Sequence, residues 1–284
     1  MELPQVAAWG IMIARRCGYI SAKEGRALTS KEQDVARSIY RAFDPAPLNT
    51  GQSNLYVDLD QVRGVSQGAS TLVQTLARRI QLSDGKPTCQ VLAGHKGSGK
   101  STELYRLQRE LQEGTPQHFV VFCKSDDDID RNDVDFPEVL IAIVRQLATQ
   151  LKEREEIDLA PGPFRKAIQG ISAIANGIEI DKFQLGNGLL TLGGQIRSSP
   201  DQRREVRKAL EPHTDSLLGA ANDVISEAFQ KLTAKGYKGI VVLVDDLDKM
   251  VVRALDTGQQ TDEYLFVNRS AQLAAFRCHV VYTM

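Results

Sequence analysis

The sequence predicts a three-layer α/β fold, in which a mainly parallel sheet is covered by helices on both faces. An apolar run over 89–93 leads into a glycine-rich loop and then into leucines at helical spacing. The run Ile240–Val244 is apolar throughout and mostly β-branched, which is typical of a strand buried on both faces of a parallel sheet. A further apolar run, Cys278–Tyr282, lies close to the end of the sequence and predicts the last strand.

Apolar spacing and helix start and stop signals predict the other elements of this fold. A helix over 65–80 precedes the first strand, and the helix after the loop ends at Gly114. Pro137 marks the first turn of a helix whose apolar positions run from Val139 to Leu151. The remaining predictions are a strand over His118–Cys123 and a helix with apolar positions from Leu217 to Leu232 that Gly236 ends.

The chain is predicted to contain a small N-terminal helical region and one larger domain. Residues 1 to about 44 have helical apolar spacing, and Asp44-Pro45-Ala46-Pro47 breaks it. We therefore predict a helical region over 1–47 and an α/β domain over 48–284. Within that domain, residues 161–200 form an insertion of glycine-rich alternating segments, for which a β-hairpin or a flap is expected.

The loop Gly94-His95-Lys96-Gly97-Ser98-Gly99-Lys100-Ser101 has the G-x-x-x-x-G-K-S pattern of a phosphate-binding loop, the Walker A motif. Its glycines let backbone N–H groups approach phosphate oxygens, while Lys100 supplies a positive charge and Ser101 a hydroxyl for Mg²⁺. A glycine-rich turn without a ligand is the alternative, and the preceding strand and following helix argue against it. The candidate nucleotide-binding residues are Gly94, His95, Lys96, Gly97, Ser98, Gly99, Lys100, Ser101 and Thr102.

Two aspartates follow the buried strand Ile240–Val244 and complete the expected site. Asp245 is the candidate ligand for Mg²⁺, directly or through water, and Asp246 is the candidate group that polarises the attacking water. An acidic turn without a function is the alternative. Because the loop and these acids serve one chemistry, their joint presence favours the Walker B motif of an ATP site.

The sequence resembles the additional-strand class of P-loop ATPases, which includes the AAA and STAND families. Over about residues 52–284 it is similar to a group of bacterial, notably cyanobacterial, AAA-like ATP-binding proteins. The segments that carry the resemblance are Tyr56-Val57-Asp58, Val62-Arg63-Gly64, Gly94–Leu104, Val244–Lys249, Glu263–Val267 and Cys278–Thr283.

The resemblance implies further roles and a missing element. Val62 and Arg63 correspond to a segment near the adenine base, and Thr283 corresponds to a polar sensor residue beside the phosphate loop. The resembled ATPases have the sheet order 5-1-4-3-2, and strand five is missing from this sequence. We therefore expect a chain truncated before the last core strand, with weakened hydrolysis and with a homo-oligomer or protein partner bound through the missing C-terminal region. Arg253, Arg269 and Arg277 are expected to be surface charges.

Charge and hydropathy exclude several other classes of protein. Lys and Arg number 35 against 36 Asp and Glu, so the net charge of -1 does not indicate a nucleic-acid partner. The apolar stretch Val6–Ile13 is shorter than the roughly 20 residues that cross a bilayer, so no membrane segment is predicted.

Cysteine and aspartate patterns exclude zinc and calcium sites. The four cysteines lack a C-x-x-C pair, and Cys89, Cys123 and Cys278 are expected in buried strands as reduced thiols of a cytoplasmic protein. The acidic run 126–130 lacks the glycine and the glutamate of a calcium loop.

We therefore predict an ATP-binding protein that hydrolyses ATP with Mg²⁺ to drive or switch its conformation. One alternative is a phosphotransferase that uses the same loop and takes the insertion as a lid over a small acceptor. A second is a non-catalytic nucleotide-binding scaffold. A GTPase is disfavoured, because Asp245-Asp246-Leu247-Asp248 lacks the D-x-x-G glycine and no N-K-x-D signal occurs.

Overall fold

The computed structural model describes residues 71–124, 134–159, 210–255 and 258–284, together with isolated positions elsewhere. The chain divides into two compact units, Met1–Val57 and Asp58–Met284. The first unit is described at a few positions, and those between 30 and 37 are helical. The predicted boundary after residue 47 stays a prediction. Most of the insertion predicted over 161–200 lies outside the described residues, as does the acidic run 126–130 apart from Ile129.

Strands and helices alternate through the first half of the second unit. The strands are β1 (Cys89–Leu92), β2 (Phe119–Lys124), β3 (Ile240–Asp245) and β4 (His279–Thr283). The helices are α1 (Leu72–Gln81), α2 (Lys100–Glu113), α3 (Phe136–Glu155), α4 (Thr214–Thr233), α5 (Thr261–Glu263) and α6 (Ser270–Leu273). Short 3₁₀ turns cover Glu211–His213 and Leu247–Lys249, and a π-helical turn, Tyr264–Asn268, joins α5 to α6.

The four strands of the described residues form one parallel sheet in the order β1-β4-β3-β2. In its register, Leu92 lies beside Thr283, and Val244 lies between Tyr282 and Cys123. The prediction of a mainly parallel α/β sheet is confirmed, and its strands follow the expected order 1-4-3-2. Because all strands are parallel, their carboxyl ends share one edge of the sheet, where ligands bind in open α/β folds.

The sheet is the middle of three layers. One face packs against α1 and α2, and the other packs against α3 and α4. Along β2, Phe119, Val121 and Cys123 belong to the second of these cores, whereas Val120 belongs to the first. This alternation follows from the two-residue period of a strand. Every residue of β3 is buried, as expected for a central strand between two helical layers.

Side-chain caps set the start of two helices. Thr71 and Gln74 form a capping box, so α1 begins at Leu72 and not at 65 as predicted. Residues 65–70 lie outside the described residues. Asp135 forms a second capping box with Glu138, and Pro137 lies in the first turn of α3, which confirms the prediction for that helix.

One prediction about the cysteines is wrong. Cys123 and Cys278 are buried, but Cys89 is exposed, as is Val91 on the same face of β1. Gln90 and Leu92, on the opposite face, are buried. The physical reason is that β1 lies at one edge of the described sheet, where its second face is not covered by α3 or α4. An apolar run alone does not reveal that difference.

Candidate functional site

The phosphate-binding loop is anchored at the carboxyl edge of the sheet. The Met284 N–H donates to the Leu92 carbonyl over 3.0 Å, and the Gly94 N–H donates to the Met284 carbonyl over 2.9 Å. These bonds continue the pairing of β1 with β4 by two residues beyond the strands. The loop therefore begins from a fixed position beside the end of β4.

Glycine is required where the loop turns into α2. Gly99 is the N-cap of α2 and has a φ of 88°. Glycine adopts this left-handed conformation readily, and among the other residues mainly Asn and Asp do so. At Gly94, a Cβ atom would lie 2.9 Å from the Ser98 Oγ, because the loop folds back closely on itself. The α2 N-terminus, from Lys100 to Thr102, then presents the positive end of the helix dipole at the loop.

The Lys100 side chain is buried with only 6% of its surface exposed, and its ammonium group has three acceptors. It donates to the carbonyls of Gly94 (2.6 Å) and His95 (3.1 Å), which belong to the loop itself. The third partner is the Asp248 Oδ2, at 2.9 Å. An ammonium group has three N–H donors, and the two hydrogen bonds and the ion pair together equal that number.

Asp245 lies at the carboxyl end of β3 and is almost completely buried. Its Oδ1 accepts a hydrogen bond from the Thr283 hydroxyl at 3.2 Å, across neighbouring strands. Thr283 is fully buried at the end of β4 and lies beside Leu92 in the register. The structure therefore brings together the predicted metal ligand, the predicted sensor residue and the strand that enters the loop.

Asp246 follows β3 in a left-handed conformation with a φ of 68°. Its Oδ1 lies 2.5 Å from the Lys249 Nζ, and its side chain is 9% exposed. The turn Leu247–Lys249 follows directly and is anchored by the buried side chain of Leu247. The predicted water-polarising carboxylate is thus paired with a lysine three residues away.

The structure adds Asp248 to the residues that the sequence predicted for this site. It was part of the motif Val244–Lys249 but had no role of its own. The 3₁₀ turn after Asp246 brings the Asp248 carboxylate back over the loop, where it contacts Lys100. Asp248 lies three residues after Asp245, which is the length of one 3₁₀ turn. This spacing is the signal that the turn returns the Asp248 side chain to the end of β3.

The remaining predicted site residues differ in exposure, and two of them are not described by the structure. His95, Lys96, Gly97 and Ser98 are exposed in the loop, and Ser101 and Thr102 are half-buried in the first turn of α2. Val62 and Arg63 lie outside the described residues.

The donors predicted for Mg²⁺ are the Ser101 hydroxyl and the Asp245 carboxylate. Oxygen donors of this kind suit Mg²⁺, which commonly takes one or two protein ligands and completes its shell with phosphate oxygens and water. Among the described residues there is no cluster of three or more His, Cys, Asp or Glu side chains able to hold a metal by themselves. Both predicted donors carry oxygen atoms, the kind of ligand that suits Mg²⁺.

The prediction that Arg269 is a surface charge is wrong. Its side chain is 13% exposed, and it contacts the carboxylates of Asp135 (3.4 Å) and Glu211 (2.9 Å). The guanidinium also lies over the Tyr264 ring, 5.1 Å from its centroid. Three elements that are distant in sequence converge here, which helical spacing alone cannot predict. Arg253 and Arg277 are exposed, as expected.

A cavity of about 850 Å³ lies at the opposite end of the sheet from the loop. Its lining comes from the segments 112–117 and 236–238 and from Thr233, next to the starts of β2 and β3. None of the predicted nucleotide-binding residues lines it. The cavity and the predicted nucleotide-binding residues therefore lie at different ends of the sheet.

Comparison with known proteins agrees with the geometry of the loop edge. A family model described as an AAA ATPase domain matches residues 67–276, which include the phosphate-binding loop and the acids after β3 but not Thr283. No curated protein matches the chain. Within the described part of the chain, no helix combines the length and apolarity needed to cross a bilayer. The match covers well over half of the sequence, and the chain belongs to the family of AAA ATPase domains.

Proposed function

We propose that this protein binds ATP with Mg²⁺ and hydrolyses it at the carboxyl edge of the sheet. The observation that carries the proposal is the contact between Lys100 of the loop and Asp248 of the acidic turn, 2.9 Å apart. It brings a cation suited to phosphate and the acids after β3 into one site, although they are distant in the sequence. Membership of the AAA ATPase domain family supports the same chemistry.

The proposed roles follow from the position of each side chain. Lys100 binds the β- and γ-phosphates, with the loop N–H groups and the α2 N-terminus around them. Ser101 and Asp245 hold Mg²⁺, which neutralises the charge of the phosphate oxygens when it is bound. Thr283 orients the Asp245 carboxylate by donating to its Oδ1. Asp246 polarises the attacking water once its carboxylate has left Lys249.

Lys100→Ala tests the proposed phosphate site. Removing the ammonium group should abolish ATP binding, seen as the loss of nucleotide-dependent thermal stabilisation. In the wild type, ATP at about 100 times its dissociation constant contributes roughly 2.7 kcal/mol to the free energy of unfolding.

Lys86→Ala is the matched control, because Lys86 is an exposed lysine before β1 and outside the site. It should keep the full thermal shift. An equal shift in Lys100→Ala and Lys86→Ala would overturn the assignment of the loop.

The finer functional proposal is a conformational switch of the STAND type. The acidic turn contacts the loop through Lys100, so occupancy of the loop changes the surroundings of Asp246 and Asp248. We place this activity in the cytoplasm, where ATP is available and the buried thiols of Cys123 and Cys278 stay reduced. The phosphotransferase alternative depends on the insertion over 161–200, most of which lies outside the described residues.

A further inference from the structure

Asp248 contacts Lys100, the cation that the proposed nucleotide needs. The Lys100 ammonium has three acceptors, and Asp248 is the one of them that carries a charge. Binding of β- and γ-phosphates requires at least two of the three N–H donors. At least two of the three existing contacts of Lys100 must therefore break when nucleotide binds.

The charge of Asp248 makes its contact one of those that must break. A carboxylate at hydrogen-bonding distance from Lys100 lies close to the position that the phosphates would take. Like charges at such a distance repel strongly where water is largely excluded, and the Asp248 side chain is only 13% exposed. The two loop carbonyls are neutral and belong to the backbone of the loop itself.

We propose that Asp248 is a latch on the phosphate-binding lysine. Its carboxylate holds Lys100 and takes the place of a phosphate. When nucleotide binds, the carboxylate has to give way, so Asp248 lowers the affinity of the site for nucleotide. Asp248 is thus a positioning residue that acts through Lys100. The inference rests on the proposed function and assigns a regulator to the same site.

The turn that carries Asp248 is suited to such a movement. Leu247 is buried and fixes the start of the turn, whereas the neighbouring Lys249 has 28% of its side chain exposed. The Lys249 N–H donates to the Asp246 carbonyl over 3.0 Å, which keeps the backbone of the turn closed. On this proposal, rotation of the Asp248 side chain releases Lys100.

A role of Asp248 as a ligand of Mg²⁺ makes the opposite prediction. A metal ligand strengthens binding of the Mg²⁺ complex and has little effect without the metal. A latch weakens binding with and without Mg²⁺, because the carboxylate competes for Lys100 in both cases. Measurements with and without metal therefore separate the two roles.

The experiment is titration calorimetry of ADP and ATP, each with Mg²⁺ and with EDTA. Asp248→Asn keeps the shape of the side chain and removes its charge, and it should tighten ADP binding in EDTA about tenfold. Asp248→Ala should do the same, and Asp248→Glu should keep the weaker wild-type affinity. Asp223→Asn, which removes an exposed charge on α4, is the control and should change nothing.

Each outcome decides between the roles. Unchanged affinity in Asp248→Asn, or weaker binding confined to the Mg²⁺ complex, overturns the latch. If neither the wild type nor any Asp248 variant binds nucleotide, the proposed function itself fails. Binding by the wild type that is lost in Lys100→Ala but unchanged in Asp248→Asn leaves the function standing and removes the latch alone.

Discussion

Lys100 and Arg269 are both largely buried cations, but their partners differ in kind. Lys100 contacts two carbonyls of its own loop and one carboxylate on a short turn. Arg269 contacts two carboxylates on separate elements, one of which is the N-cap of α3. Phosphate oxygens can replace the partners of Lys100 without separating elements of the fold. The partners of Arg269 cannot be exchanged without separating the elements that it joins.

The comparison distinguishes a cation available to a ligand from one that stabilises the fold. The guanidinium of Arg269 bridges Asp135 at the start of α3 and Glu211 before α4, and stacks over Tyr264. Burial by itself lowers the pKa of Arg269, but Asp135, Tyr264 and Glu211 together outweigh burial and raise that pKa above its ordinary value. Substitutions at the loop edge should therefore change function, and substitutions around Arg269 should change stability.

The largest effect is expected at Asp246. Asp246→Asn should lower the rate of ATP turnover by about 10² to 10⁴ while keeping ATP affinity, because it removes the group that we propose to polarise water. Asparagine tolerates the left-handed backbone at this position, with its φ of 68°, so the fold should be retained. Steady-state phosphate release and nucleotide titration are the measurements.

Asp215 is an exposed aspartate on α4, so Asp215→Asn provides the control for loss of one negative charge. Wild-type turnover in Asp246→Asn would assign the water-polarising role to another residue. If Asp246→Asn lost as much stability as Arg269→Ala, the contrast between the loop edge and the surroundings of Arg269 would not hold.

An effect on stability is expected at Arg269. Arg269→Ala leaves the buried Asp135 carboxylate without its cation and should lower the free energy of unfolding by about 3 kcal/mol. Nucleotide affinity should stay unchanged, since Arg269 does not contact the loop. Chemical denaturation and nucleotide titration of the same sample measure both quantities.

Arg277→Ala is the matched control. Arg277 is 64% exposed and lies 3.9 Å from Asp223, so its loss should change stability by less than about 0.5 kcal/mol. Equal stability of the two variants would show that the buried arginine contributes no more than a surface charge. The distinction drawn from burial would then be wrong.

The smallest effect is expected at the amino ends of β2 and β4, far from the loop. Burial, together with the neighbouring His118, lowers the pKa of His279 from 6.5 to about 4. Between these pH values the unfolded chain binds a proton that the folded chain does not. The free energy of unfolding should therefore fall by about 2 kcal/mol as the pH drops from 6.5 to 4.

His279→Asn should flatten that part of the stability profile, and denaturant titrations across the same pH range measure it. An asparagine amide can still reach the Thr88 hydroxyl, which lies 3.0 Å from the His279 Nδ1. His213→Asn, in the turn before α4, is the comparison for replacing a histidine by asparagine. If the free energy of unfolding of His279→Asn fell with pH as steeply as that of the wild type, groups other than His279 would cause the acid sensitivity.

Much of the fold could be predicted because its signals are local. Five consecutive apolar residues before Asp245 predicted a strand buried on both faces, and that strand lies in the centre of the described sheet. Pro137 and the apolar spacing after it predicted α3. Apolar spacing does not give the start of α1, because the capping box of Thr71 and Gln74 sets it. Cys89 was misplaced because an apolar run does not reveal which face of an edge strand is covered.

The candidate site was predictable in its parts but not in its pairings. Glycines and a lysine at fixed spacing indicate a phosphate-binding loop, because backbone geometry and charge are set within a few residues. The partner of Lys100 depends on how the turn after β3 folds back over the loop. The roles assigned to Ser101, Asp245 and Asp246 stay predictions until the variants are measured.

The sequence by itself determined the loop, the acid-tipped strand and the alternation of strands and helices, since each of these depends on short-range spacing. Tertiary structure decided that Asp248 contacts Lys100, that Thr283 donates to Asp245, and that Arg269 is buried. Each of these contacts joins residues on different elements. Their formation depends on the packing of the sheet and its helices, which no local pattern specifies.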